Sequence, residues 1–238
     1  MLHMKLNWLI YRIRNALSRR LGADCKKSYS QCGEDLIVRY IFDALKISTP
    51  SYLDIGAHHP SYLSNTKLLY ETGSHGVNVE PDPTLIGAFN LQRPKDVNLN
   101  VGIAPLDETL PFYVMYPRTL NTFSRKEANA AVEEGKGKIR IEEIIQVPVM
   151  SINNLIAAHF DASPDFLSLD VEGMDLTILE CLDFSKTRPK VICVETITYS
   201  ENRQGKKIPE IADWLGKQRY FLYADTHVNS IFVDFEVW

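Results

Sequence analysis

Four cysteines in 238 residues (Cys25, Cys32, Cys181 and Cys193), without C-x-x-C spacing, are too few for a disulfide scaffold. Reduced thiols of a cytosolic protein are expected instead. No apolar run approaches the roughly 20 residues that cross a bilayer. Twelve glycines and twelve prolines are too few for a collagen-like or low-complexity chain, and no internal repeat is present. Positive charge is not in excess: 26 Lys+Arg stand against 30 Asp+Glu, a net charge of −4, so nucleic acid is not an expected partner. What remains is an ordinary globular composition, 45% apolar, long enough to bury roughly 70–75% of its unfolded surface.

The charge is unevenly placed. Residues 1–27 carry seven basic side chains against Asp24 alone, a formal +6 that leaves −10 on the rest. Leu6, Leu9, Ile10, Ile13, Leu17 and Leu21 recur at helical spacing beside Arg12, Arg14, Arg19 and Arg20. The segment reads as a basic amphipathic helix that docks on the domain, pairs two copies as a homodimer, or lies at an anionic membrane surface. Arginines interrupt the stripe and no small-residue cleavage site follows, so a signal peptide is not expected. The location expected is cytoplasmic, at most peripheral to the inner face of a membrane.

From residue 28 onward the pattern is α/β. Helices are expected over Gly33–Leu45, Tyr62–Glu71, Thr84–Leu91, Met174–Leu182 and Pro209–Lys217, and strands at 51–56, 75–80, 97–104, 165–170 and 190–196. Two final strands, Tyr220–Ala224 and Ser230–Phe235, read as an antiparallel hairpin at the sheet edge. Such alternation predicts a mostly parallel seven-stranded sheet with an antiparallel edge strand and helices on both faces. Residues 105–149, with four prolines, several aromatics and the charged run EEGKGK, break the alternation and read as an insertion within the 28–238 domain.

Ligands of such sheets bind beyond the carboxyl ends of the strands. Four strands end there in an acid: Asp54, Glu80, Asp170 and Glu195. Glu80, at the end of the second strand, is placed to accept both hydroxyls of a ribose. The first turn, DIGAHH, has one glycine and no G-x-G-x-x-G, so it is poorly made to grip pyrophosphate. Asp54 would repel phosphate and suit a nucleoside with a cationic tail. That chemistry fits S-adenosyl-L-methionine better than a nicotinamide dinucleotide.

SQCGEDL (30–36), YLDIGAHHPSYLSNT (52–66), VNVEPDP (77–83) and FLSLDVEGMDLTIL (166–179) resemble the ordered motifs of the FkbM-type methyltransferases. The resemblance implies a class I methyltransferase Rossmann-like fold and O-methyl transfer from S-adenosyl-L-methionine to a sugar, glycan or natural-product hydroxyl. By position it implies that Asp54, Gly56 and Ala57 hold the methionine end, Glu80 the ribose, and that Asn100 and Gly102 lie near the adenine. His58 stands where many members carry asparagine.

Several roles stay open. Asp170 and Glu172 flank a valine, so a continuing strand would put both on one side. Either would serve as the base for an acceptor hydroxyl or orient the methionine ammonium, and Glu172 also reads as a helix cap. His58 and His59 compete for the base role or are polar loop residues. Asp170, Glu172, Glu195 and the histidines carry donors a divalent metal would accept, but with no local ligand signature no metal is assigned. Arg118, Arg125 and Lys126 around NTFS read equally as a lid over the acceptor or as a solvated loop. A Rossmann-like module that binds adenosylmethionine or a nucleotide without turnover is the alternative to an enzyme.

Overall fold

Tyr52–Ile55 (β1) sort the interior into two layers. All four residues are buried, and alternation sends Leu53 and Ile55 to one face and Tyr52 and Asp54 to the other. The computed structural model describes residues 25–198 and 205–238; the amphipathic segment read over 1–21, and with it the expected dimer or membrane contact, lies outside the described residues. Leu53 and Ile55 pack with apolar residues of Ile152–His159 (α5), Asp175–Cys181 (α6) and Pro209–Lys217 (α7). Tyr52 packs with Glu34–Ala44 (α1) and Lys67–Glu71 (α2) through Val38, Ile41, Phe42 and Leu69.

Seven strands form the main sheet. Their spatial order is Val97–Leu99 (β3), Gly76–Val79 (β2), β1, Phe166–Leu169 (β7), Val191–Glu195 (β8), Asn229–Asp234 (β10) and Tyr220–Asp225 (β9). The α/β class and mostly parallel sheet are those expected. One detail differs: β10 is antiparallel to both neighbours and lies second from the edge, so the edge strand β9 runs with the rest. The chain passes over the place next to β8, forms β9, and turns back to fill the gap. Burial agrees with this order, since all six residues of β10 are buried while β9 is largely half exposed. Among the described residues no helix is long and apolar enough to cross a membrane.

Two other expectations change. The helix read over 62–71 is only the five residues of α2, because the loop before it is held by its own polar groups: Ser61 and Tyr62 N–H donate to His59 Nδ1, and Ser64 N–H donates to Tyr29 O. The strand read over 97–104 breaks after Leu99, where Asn100 Nδ2 donates to Glu80 O and Pro81 O, both at 2.9 Å. The chain re-emerges as Gly102–Ile103 (β4) in a second sheet, beside Arg140–Met150 (β6) and its antiparallel partner Glu108–Tyr116 (β5). Arg125–Glu134 (α4) packs on that sheet, started by Ser124, whose Oγ accepts from Glu127 N–H. This is the region read as an insertion.

A charged group supports β1 from inside. Arg93, just beyond Pro83–Gln92 (α3), is fully buried. Its Nε donates to Asp96 at 2.8 Å, Nη2 to Tyr52 Oη at 2.8 Å and Nη1 to Thr66 Oγ1 at 2.9 Å. Asp96 in turn accepts from Tyr52 Oη, Asn78 Nδ2 and Gly76 N–H. Removing one partner of such a pair strands the other charge, typically a loss of about 3–5 kcal/mol. Arg93→Met is therefore expected to destabilise by about that amount in urea denaturation. Arg93→Met with Asp96→Asn should recover part of it, because the carboxylate bonded directly to the guanidinium is then neutral too; a double variant no more stable than the single would refute this account.

Candidate active site

A cavity of about 740 Å³ opens at the carboxyl ends of the strands, within the ~300–1,000 Å³ usual for small-molecule sites. Gly56, His58, Glu80, Asp170, Glu172 and Glu195 all line it. Of the residues singled out in the sequence, Asp54, Ala57, His59, Asn100 and Gly102 do not.

Asp54 lies beneath the floor. Its Oδ2 accepts from Thr66 Oγ1 at 2.6 Å, and Ser168 bonds it too. Burial raises its pKa, opposed mainly by the charge of Arg93. It gives the cavity charge and not an open oxygen. Ala57 packs against Ile86 and Phe89. Three successive amides of this turn are engaged: Gly56 and Ala57 N–H both donate to Val79 O, and His58 N–H donates to Glu80 Oε2 at 2.8 Å. A phosphate would find none of these three donors free.

Gly56 is required by crowding. Its φ is +76°, and a Cβ there would stand 1.8 Å from the Asp170 carbonyl oxygen. His58 turns its half-buried ring to the cavity, and burial lowers its pKa, which favours the neutral, proton-accepting form. His59 is committed elsewhere. With Nδ1 accepting two backbone N–H groups, its proton sits on Nε2, so it works as a turn organiser and not as a base facing the cavity.

Glu80 is held rigidly. Oε2 accepts from His58 N–H and Oε1 from Asp82 N–H, each at 2.8 Å, leaving each oxygen a further lone pair. Burial pushes its pKa up to about 7, and Asp82 and Asp54 add to the rise. Asn100 braces this turn from behind. Gly102 starts β4, and the Phe123 ring occupies the space where its side chain would be. The ring centroids of Phe112 and Phe123 lie 4.7 Å apart, and this aromatic pair, not Asn100 or Gly102, forms part of the cavity wall.

The strand ends at Leu169, so Asp170 and Glu172 do not share a face by β alternation. A turn brings them together instead, with Glu172 at φ +50° and Gly173 at +97°. Glu172 does not cap the following helix. Asp175 organises the turn, accepting from Val171 N–H at 3.2 Å and Gly173 N–H at 3.4 Å. Oxygens of Asp170, Glu172 and Glu195 lie within 4.8 Å of one another. Burial and then neighbouring carboxylates raise all of them: Asp170 to about 6, Asp175 to about 7, and Glu172 and Glu195 well above their ordinary values.

Two elements of the site were given no specific position from sequence. Residues 118–123 bridge it: Arg118 and Asn121 donate to Asp82, the N-cap of α3, and Thr122 Oγ1 donates to Glu172 O at 2.9 Å. Arg125 and Lys126 are exposed on α4, away from the cavity. Gln31 and Cys32 form another part of the rim, with the segment anchored because Asp35 accepts from Tyr29 N–H and Glu34 from Thr226 Oγ1 and Asn229 Nδ2. Their signal was the SQCGEDL motif, whose acids are buried.

Residues 54–223 match the methyltransferase FkbM domain. No protein of curated function matches the chain in sequence. Among solved structures, a TehB-like SAM-dependent methyltransferase from Corynebacterium glutamicum is similar at 11% identity, over 94% of this chain and 97% of that one, with a TM-score of 0.44. A 1,6-didemethyltoxoflavin-N1-methyltransferase from Burkholderia thailandensis is similar at 10% identity, over 96% and 88%, with a TM-score of 0.41. An O-methyltransferase from Bacillus cereus in complex with SAH is similar at 10% identity, over 92% and 87%, with a TM-score of 0.41. These likenesses are too distant to assign any residue a role.

The crowding at Gly56 has a direct test. A left-handed non-glycine residue costs about 1–3 kcal/mol, and at position 56 the overlap with Asp170 adds to it. Gly137 shares the positive φ, at +88°, but has nothing within 4 Å of its missing Cβ. Thermal denaturation is expected to show Gly56→Ala losing clearly more stability than Gly137→Ala. Equal losses would mean that the approach to Asp170 is slack.

Proposed function

The chain belongs to the FkbM family of S-adenosylmethionine-dependent methyltransferases, and on that premise we propose that it methylates a hydroxyl oxygen of a sugar, glycan or related natural product. The observation that carries the cofactor half of this reading is the commitment of the first turn: its amides are spent on Val79 and Glu80, while Glu80 keeps open lone pairs toward the cavity. Such a site suits a nucleoside without phosphates.

Bound S-adenosylmethionine supplies an activated methyl group on a sulfonium. Glu80 accepts the ribose hydroxyls, and the wall of Phe112 and Phe123 offers the adenine an apolar face. The charges of Asp54 and Asp170 favour the cationic methionine end. On the acceptor side, Asp170 or Glu172 takes the hydroxyl proton. Their raised pKa values bring them closer to working pH, where a general base is most effective, and such a base typically contributes ~10²–10⁴-fold. The residues otherwise align the acceptor for in-line attack.

The reading is tested by mass spectrometry of glycans and lipid-linked sugars from cells with and without the gene, where one methyl group should be gained only with it. Purified protein that binds S-adenosylhomocysteine but leaves every such acceptor unmethylated would favour the non-catalytic module.

The cofactor side has its own test. Hydrogen bonds to a charged group contribute about 1.5–3 kcal/mol each, so Glu80→Ala is expected to weaken S-adenosylhomocysteine binding about 10- to 100-fold or more in calorimetry. The pH dependence follows in sign. Ribose hydroxyls donate to the carboxylate and so favour its ionised form. Since the free protein holds Glu80 near a pKa of about 7, affinity should rise with pH up to about 7 and level above it. Glu80→Gln should remove that rise; an unchanged profile would place the nucleoside elsewhere.

A further inference from the structure

We propose that Asp170, Glu172 and Glu195 bind one divalent cation of the oxygen-preferring kind, Mg²⁺, Mn²⁺ or Ca²⁺, a site not assigned from the sequence. One oxygen from each lies within 4.8 Å of the others. Oxygens on opposite sides of a calcium ion, at roughly 2.4 Å each, stand about 4.8 Å apart, so the three fit around a single ion. The donor set is all oxygen, which suits these cations better than zinc or copper.

A second observation points the same way. Asn229 is the cross-strand partner of Glu195, so both side chains leave the sheet on the same face, and both line the cavity. Asn229 is 3% exposed, and its Oδ1 has no hydrogen-bond partner. The amide is not free to flip, because Nδ2 donates to Glu34 Oε1 at 3.2 Å. A buried carbonyl oxygen therefore stands without a donor on the residue paired with Glu195, in the lining of the same cavity as the three carboxylates. Acceptors without donors are what a cation satisfies. A water molecule bonded to Asn229 would leave the carboxylates uncompensated.

One oxygen per carboxylate suffices for the ion. The ion's remaining positions face the cavity and suit acceptor hydroxyls. Only this consequence rests on the proposed methyl transfer; cation binding stands without it.

The full-length chain, stripped with EDTA and dialysed, would be titrated with MnCl₂ and followed by calorimetry and electron paramagnetic resonance. One saturable Mn²⁺ per chain is expected, displaced by Mg²⁺ or Ca²⁺. Glu172→Gln and Glu195→Gln should each weaken it at least about 10-fold, while Glu143→Gln, an exposed carboxylate on β6, should leave it unchanged. S-adenosylhomocysteine binding by each variant verifies that its fold and nucleoside side are intact. No saturable Mn²⁺ site in the wild-type chain would overturn the proposal, even if the variants fail to fold. So would equal affinity in a folded Glu195→Gln. Mn²⁺ binding without any S-adenosylhomocysteine binding would instead refute the proposed function and leave the cation site standing.

Discussion

The site depends on one close crossing, where the chain leaving β1 passes under the carbonyl of Asp170. Only a residue without a Cβ fits at position 56, and Asp170 N–H donates to Ile55 O at 3.1 Å to complete the contact. This crossing brings the ends of β1 and β7 within one cavity. It also commits the turn after β1 to the neighbouring strand, since its amides must bond Val79 and Glu80. The same geometry that positions Glu80 removes the donors a phosphate would need. The lack of phosphate recognition at this turn is thus a consequence of backbone packing as much as of side-chain choice.

The second constraint is charge. Asp54, Glu80, Asp170, Glu172, Asp175 and Glu195 lie at the carboxyl edge of one sheet, and burial, with repulsion from neighbouring carboxylates, raises the pKa of each. Three of the six are held by specific donors: Asp54 by Thr66, Glu80 and Asp175 by backbone N–H groups. Arg93, buried on the face that Tyr52 and Asp54 share, offsets Asp54 from the same side of the sheet. Arg118 lines the cavity but is already bonded to Asp82. The cavity therefore favours cationic or neutral groups near Asp170 and disfavours an anionic group there.

Much of this was legible in the sequence because a buried parallel strand leaves a plain signature: a short apolar run that ends where the chain meets solvent or ligand. Asp54, Glu80, Asp170 and Glu195 stand at those endings, and all four strands are where the pattern puts them. The failures share a cause, which is dependence on contacts distant in sequence. Nothing local to VNLNVGIA says that Asn100 will bond the Glu80–Pro81 turn and break the strand. Nothing in DIGAHH separates a histidine facing the cavity from one that caps its own loop. Glu172 and Asp175 are both acids at the start of a helix, and only the left-handed turn at 172–173 decides that Asp175 takes the backbone N–H groups. The place of β10 inside β9 likewise follows from sheet pairing, although its unbroken burial hints at an interior strand.

The region that sequence periodicity could not parse joins the two halves of the site. Its short turn at 118–123 bonds the α3 N-cap at one end and the Glu172 carbonyl at the other. One contact lies two residues from Glu80 and the other is on the acidic turn itself. The width of the cavity between the Glu80 turn and the acidic turn is thus set by a segment that belongs to neither. Phe123, within that segment, fills the space over Gly102 and ties the same span to the second sheet. Methyl transfer demands a fixed distance between donor and acceptor, and a short bridge anchored at both ends keeps that distance better than two independent loops would.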